Sequence, residues 1–215
     1  MINTKEFVGL GVALNLNIGT APWKYLRADL IQQAINPIDV AKSHATIIDS
    51  KEMDFEISDV ESTKKIATIR EEVQKYMASL QVNKLLLIPV SERVKPFSFN
   101  RKKVGVIFGE EEQAYFADVR ADLSDIYYEI AGVTLIEERP YIAHTNLGNK
   151  TAEYRERRKI EGAINTELPA APKVFAVTGY SIEERIVCTE LEEAQEIPNL
   201  NLRYRNTPPS LRSAS

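Results

Sequence analysis

The alternation of apolar and polar positions divides the chain into strand-like and helix-like stretches. Residues 7–17 are mostly apolar and β-prone, which predicts a buried strand. From 22 to about 34 the apolar residues Trp23, Leu26, Leu30, Ile31 and Ala34 recur at helical spacing. Pro22 suits the first turn, and Asn36-Pro37 breaks the pattern. Residues 44–49 and 54–57 predict two short strands. Residues 58–80 predict a long helix, with Ile66, Ile69, Val73, Tyr76, Met77 and Leu80 on one face. Asp59 with Ser62, or Ser58 with Glu61, offers capping chemistry at its start. Residues 84–90 and 104–108 predict strands around a basic loop, 92–103. Residues 111–131 predict a further helix with the stripe Phe116, Val119, Leu123, Ile126, Tyr127 and Ile130.

The second half repeats the rhythm. Residues 133–136 and 141–147 predict strands, 151–164 a highly charged helix, and 173–179 with 184–189 a closing hairpin turning at Tyr180-Ser181. The whole is an α+β pattern without short repeats. Residues 1–198 are expected to form one domain, and 199–215 a polar, flexible tail.

Composition narrows the function. At 215 residues and 44% hydrophobic, the chain suits one compact domain or two small lobes. A charged fraction of 27% excludes bulk disorder. The net charge of -4 argues against a binder of long nucleic acid and leaves room for a small anionic ligand in a local basic pocket. The single cysteine, Cys188, excludes an internal disulfide; in the run Ile186-Val187-Cys188 it is expected to be a small buried hydrophobe. No apolar stretch reaches the roughly 18 residues of a membrane span. The polar start, Met1 to Glu6, lacks a secretory pattern, so a cytoplasmic protein is expected, with no membrane partner.

The informative feature is a doubled motif. The chain has two histidines, one in each half, in His44-Ala45-Thr46-Ile47 and His144-Thr145-Asn146-Leu147. Both lie in predicted strands, where a residue and the one two further on share a face. His44 then lies beside Thr46, and His144 beside Asn146. Two imidazoles titrating near neutrality can divide acid and base roles, and Thr and Asn can donate to phosphoryl oxygens. This chemistry requires no metal or cofactor. A two-histidine metal site would want a third ligand, and no cluster such as HExxH supplies one.

The segments Ser43 to Ile47 (SHATI) and Ala143 to Gly148 (AHTNLG) resemble the doubled His-x-Thr/Ser-hydrophobic signature of the 2H phosphoesterase superfamily, the LigT-like RNA ligases and cyclic phosphodiesterases. The resemblance covers residues 7–189 in element order. It implies a bilobal, pseudo-symmetric α+β fold, with antiparallel sheets around a central cleft, helices outside and one histidine from each lobe. It also implies that His44 and His144 are the acid/base pair and that Thr46 holds the phosphate. Asn146 departs from the Thr or Ser of the family. The continuation Ile48-Asp49-Ser50-Lys51 is similar to phage members that cut cyclic oligonucleotide immune signals.

Lys150, Tyr180 and Trp23 are further candidates for contacts with a small nucleotide or cyclic oligonucleotide: a cation just past the second motif, and two aromatic rings able to stack on a base. Each also has a structural explanation, in a solvated lysine, an exposed turn and a packed core ring. The basic loop with Phe97 and Phe99 offers a nucleotide-contacting surface, whereas Arg155, Arg157, Arg158 and Lys159 alternate with glutamates as on a solvated helix face. Gly9-x-Gly11 lacks the third glycine of a dinucleotide fingerprint. The reading is therefore a metal-independent phosphodiesterase. Its rival is a catalytically silent protein of the same fold that sequesters a nucleotide-derived signal.

Overall fold

A computed structural model describes residues 3–39, 42–90, 103–136, 140–161 and 173–191. The strands are β1 (Asn3–Asn17), β2 (Ile35–Pro37), β3 (His44–Ile48), β4 (Phe55–Ile57), β5 (Leu86–Leu87), β6 (Lys103–Ile107), β7 (His144–Lys150) and β8 (Phe175–Leu191). The helices are α1 (Thr20–Gln32), α2 (Val60–Ser79), α3 (Glu110–Ala131) and α4 (Ala152–Glu161), with a short 3-10 turn at Val82–Lys84. The architecture is α+β: eight strands form one sheet, every pairing is antiparallel, and helices cover it.

The sheet runs β2-β7-β3-β1-β8-β5, with β4 beside β1 and β6 beside β7. A bridge between Pro89 and Phe108 ties the β5 end back to the β6 end. One face is apolar and packed: Val8, Leu10, Val12, Leu14 and Leu16 of β1 join Ala45 and Ile47, Val104 and Val106, and Phe175 and Val177. Against this face lie Ile66, Ile69, Val73 and Met77 of α2 and Phe116, Val119, Leu123 and Tyr127 of α3. Those are the stripes that helical spacing predicted, because residues three and four apart share a helix face. Asp59 caps α2 by accepting from the Ser62 backbone N–H at 2.8 Å.

Several expectations change. The predicted closing hairpin is one continuous strand: β8 runs straight through Tyr180-Ser181. β1 is long enough to pair with it from Asn3↔Leu191 to Asn17↔Ala176. A bulge at Thr178, between Asn15↔Gly179 and Leu16↔Val177, absorbs the irregularity that suggested a turn. Residues 133–136 form no strand; Ile136 instead donates its N–H to the Glu52 carbonyl at 2.7 Å. Residues 84–90 shrink to the 3-10 turn and the two residues of β5. The Asn36-Pro37 break itself holds a strand, β2, paired with Gly148 to Lys150. Cys188 is exposed, although it lies on the same face of β8 as Ile186, which is registered with buried Val8. Residues 92–102 of the basic loop and the residues from 192 onward lie outside the described residues, while Lys103 opens β6.

Gly9 and Gly11 serve the packing of the loop that follows β3. A Cβ on Gly9 would lie 1.8 Å from the Ser50 carbonyl oxygen, and one on Gly11 2.9 Å from the Ser50 nitrogen. Only glycine lets that backbone lie on the sheet. No helix among the described residues is long and apolar enough to cross a membrane.

Candidate active site

β3 and β7 are neighbours in the sheet, paired through Ala45↔Thr145. Both partners of that pair are buried on the packed face. In an antiparallel ladder the flanking positions point the other way, so His44 comes beside Asn146 and Thr46 beside His144 on the open face. The two imidazoles are thus diagonal neighbours, with Cβ atoms on the order of 7–8 Å apart. The rows extend across the sheet: Asn15 is registered with His44, Ala13 with Thr46, Ile107 with His144, and Gly105 with Asn146.

Each imidazole is held in the same way. His144 Nδ1 lies 2.6 Å from the Ile142 carbonyl oxygen, and His44 Nδ1 lies 2.8 Å from that of Lys42. A carbonyl only accepts, so both Nδ1 atoms carry the hydrogen and donate. In the neutral ring, Nε2 is then the proton acceptor. The surroundings differ. His44 is exposed and His144 half-buried. Burial pushes the His144 imidazole below its ordinary value, and the nearby charges of Lys103 and His44 push the same way, against the Ile142 hydrogen bond.

Both histidine strands are fastened from the helix side by α3. Arg120, buried, donates to the Ile47 carbonyl oxygen and to Glu52 Oε2, each at 2.8 Å. Its guanidinium lies 5.0 Å from the centre of the Tyr141 ring, whose hydroxyl donates to the Thr46 carbonyl at 2.6 Å. Gln113, two helical turns earlier, grips Ala143, the residue before His144. Thr145 adds a bond from its hydroxyl to the His44 carbonyl at 2.8 Å. These supports were not read from the sequence. The available signal was the placement of Gln113 and Arg120 seven apart on the stripe shared with Phe116, Leu123 and Tyr127, where buried polar groups require partners.

The structure therefore brings together His44, Thr46, His144 and Asn146. Asn146 Oδ1 is buried and has no hydrogen-bond partner among the described residues. Of the three other candidates, Lys150 and Tyr180 lie elsewhere. Lys150 is buried six residues along β7 from His144, about 20 Å on an extended strand, with its ammonium 5.6 Å from the centre of the Tyr154 ring. Tyr180 is registered with buried Leu14, and its hydroxyl donates to the Gln74 carbonyl of α2 at 3.2 Å, which is the helix side of the sheet. The expected turn that would have exposed it does not exist. Trp23 is half-buried against the core in the first turn of α1. Asp49 and Ser50, which continue the first motif, form a structural turn: Glu52 accepts from the Asp49 N–H at 2.8 Å, and Ser50 covers Gly9 and Gly11.

No protein-family model matches the sequence, and no curated protein matches it significantly. Solved structures do match. The crystal structure of E. coli LigT complexed with 3′-AMP superposes with a TM-score of 0.51 at 13% identity, covering 86% of this chain and 96% of that one. Usb1 from Kluyveromyces marxianus gives a TM-score of 0.51 at 12% identity, covering 86% of this chain and 98% of that one. With eight antiparallel strands, covering helices and a histidine from each half of the chain on adjacent strands, this protein has the fold of LigT and Usb1.

Proposed function

We propose that the protein is a metal-independent phosphodiesterase acting on a small cyclic nucleotide or oligonucleotide with a 2′,3′-cyclic, 2′-5′ or 3′-5′ linkage. The carrying observation is the pair of imidazoles on one sheet face, each with its Nδ1–H tied to the carbonyl two residues earlier. His144, whose burial favours the neutral ring, is the base: its Nε2 takes a proton from water as the water oxygen bonds to phosphorus. The bond from phosphorus to the leaving ribose oxygen breaks, and protonated His44 gives that oxygen a proton. The Thr46 hydroxyl and the Asn146 amide N–H groups hold the nonbridging oxygens as their charge grows. LigT with bound 3′-AMP supports a nucleotide as ligand. Degradation of a cyclic nucleotide immune signal is the narrowest form of this reading.

The test is chromatographic. Native protein and the His44→Ala/His144→Ala double variant are incubated in EDTA with 2′,3′-cyclic mononucleotides, cyclic di- and trinucleotides and 2′-5′ oligoadenylates. Cleavage by the native chain alone supports the proposal, and the product names the linkage. Activity abolished by EDTA and restored by metal overturns the metal-free route. Asn146 favours one second reading: an amide in place of a hydroxyl suits a protein that holds its ligand uncut. Recovery of intact nucleotide from the native protein, with no product, would select it.

A further inference from the structure

The peptide group between Ile142 and Ala143 is hydrogen-bonded at both ends. Its carbonyl accepts from His144 Nδ1–H at 2.6 Å, and its N–H donates to Gln113 Oε1 at 2.7 Å. The Gln113 amide nitrogen donates to the Ala143 carbonyl at 2.9 Å and to the Phe108 carbonyl at 3.1 Å. Two carbonyls at the nitrogen end fix which way the carboxamide points, because only the oxygen end can accept from Ala143. A bond accepted at a peptide N–H polarises the group and makes its carbonyl a stronger acceptor.

We propose that Gln113 is the positioning residue for His144: acting through the Ile142–Ala143 peptide, it holds the imidazole in the Nδ1–H form with Nε2 turned to the substrate. The inference rests on reading the site as an acid/base pair. Gln113 reaches this peptide from α3, so the base is indexed to a rigid helix and not only to its own strand. The first motif is not built this way. Among the described residues no side chain bonds to the N–H of the Lys42–Ser43 peptide, whose carbonyl holds His44.

The arrangement predicts a directional response to losing the Gln113 oxygen. With a weaker carbonyl partner, the imidazolium of His144 loses support and its titration moves further down in pH. Among the described residues, the charged groups acting on His144 are Lys103 on β6 and His44 on β3. Both stay in place when Gln113 changes, so the shift reports the peptide link.

The chain has two histidines, which makes imidazole nitrogen NMR of the full-length protein readable. In Gln113→Met, the acid dissociation constant of His144 is expected to rise about threefold or more, with some Nε2–H tautomer, while His44 titrates as in the native protein. On a 2′,3′-cyclic mononucleotide, kcat falls about tenfold while KM stays within about twofold. A folded Gln113→Met whose His144 titration and tautomer match the native protein overturns the proposal. Should Gln113→Met fail to fold, the native chain decides: the Gln113 side-chain amide resonances shift with the titration of His144, and no such shift overturns the link. A positive NMR result with no cleavage of any substrate leaves the positioning role standing and removes the phosphodiesterase. Intact cleavage with a negative NMR result does the reverse.

Discussion

β3 and β7 carry the same motif and hold it differently. In each, histidine is followed two residues later by a hydrogen-bonding side chain, and in each Nδ1–H donates to the carbonyl two residues back. The surroundings then diverge. His44 stands exposed on a strand fastened by a buried arginine and a tyrosine, whereas His144 is half-buried on a strand fastened by a neutral carboxamide. The local motif sets the tautomer, and the neighbours set the solvation. Two chemically identical side chains thereby become distinct, which is what a division into acid and base needs.

The sharpest way to break this comparison is to remove the rings. His44→Ala and His144→Ala should each lower turnover by about 10²–10⁴-fold. The double variant should be no slower than the slower single one, because groups acting in one step are not additive. Initial rates on a 2′,3′-cyclic mononucleotide check this. A double variant slowed by the product of the two single effects would mean that the histidines act independently.

The supports come next. Arg120→Met leaves Glu52 without its cation and the Ile47 carbonyl without its side-chain donor, and should cost about 3 kcal/mol in urea unfolding. Gln113→Leu removes only neutral hydrogen bonds and should cost about 1–3 kcal/mol. If the carboxamide proved the larger loss, the assignment of the charged anchor to β3 would be the wrong emphasis.

Gly9→Ala tests the loop that brings Glu52 to Arg120. The added methyl would meet the Ser50 carbonyl at 1.8 Å, so the loop must shift. A loss of about 1–3 kcal/mol is expected, with reduced activity if Arg120 loses its hold on β3. Native stability and pH profile would show that the loop packs more loosely than the glycines imply.

The smallest effect is on pH-dependent stability. Burial lowers the His144 titration in the folded chain, so the unfolded chain, near its value of about 6.5, binds more protons in between. Stability therefore rises with pH across that window, is fully present above it, and is lost as pH falls through the folded value. His144→Gln should flatten this part of the slope. Urea midpoints at about pH 5 and about pH 7.5 for the native and variant chains check it. Equal slopes would mean that the ring is not desolvated and that the two histidines differ less than the structure indicates.

Much of this site was legible beforehand for a specific reason. His44 and Thr46, like His144 and Asn146, share a face because a strand alternates, and that property survives any tertiary arrangement. Lys150 and Tyr180 failed as neighbours of the pair for the opposite reason. Their positions depend on how far β7 runs and on whether β8 turns, and both are set by pairing partners far along the chain. Gln113 and Arg120 were hidden in an apolar stripe whose spacing reads as core.

By itself the amino-acid sequence determined the four helices, the stripes of α2 and α3, and two histidine motifs with defined faces, because all of these follow from periodicities of two and about 3.6 residues. Only the tertiary structure decided that β3 would lie against β7, that β1 would carry β8 unbroken past Tyr180, and that one helix would brace both histidine strands. Those outcomes depend on register and on contacts between residues up to 188 positions apart, such as Asn3 and Leu191, which no local pattern encodes.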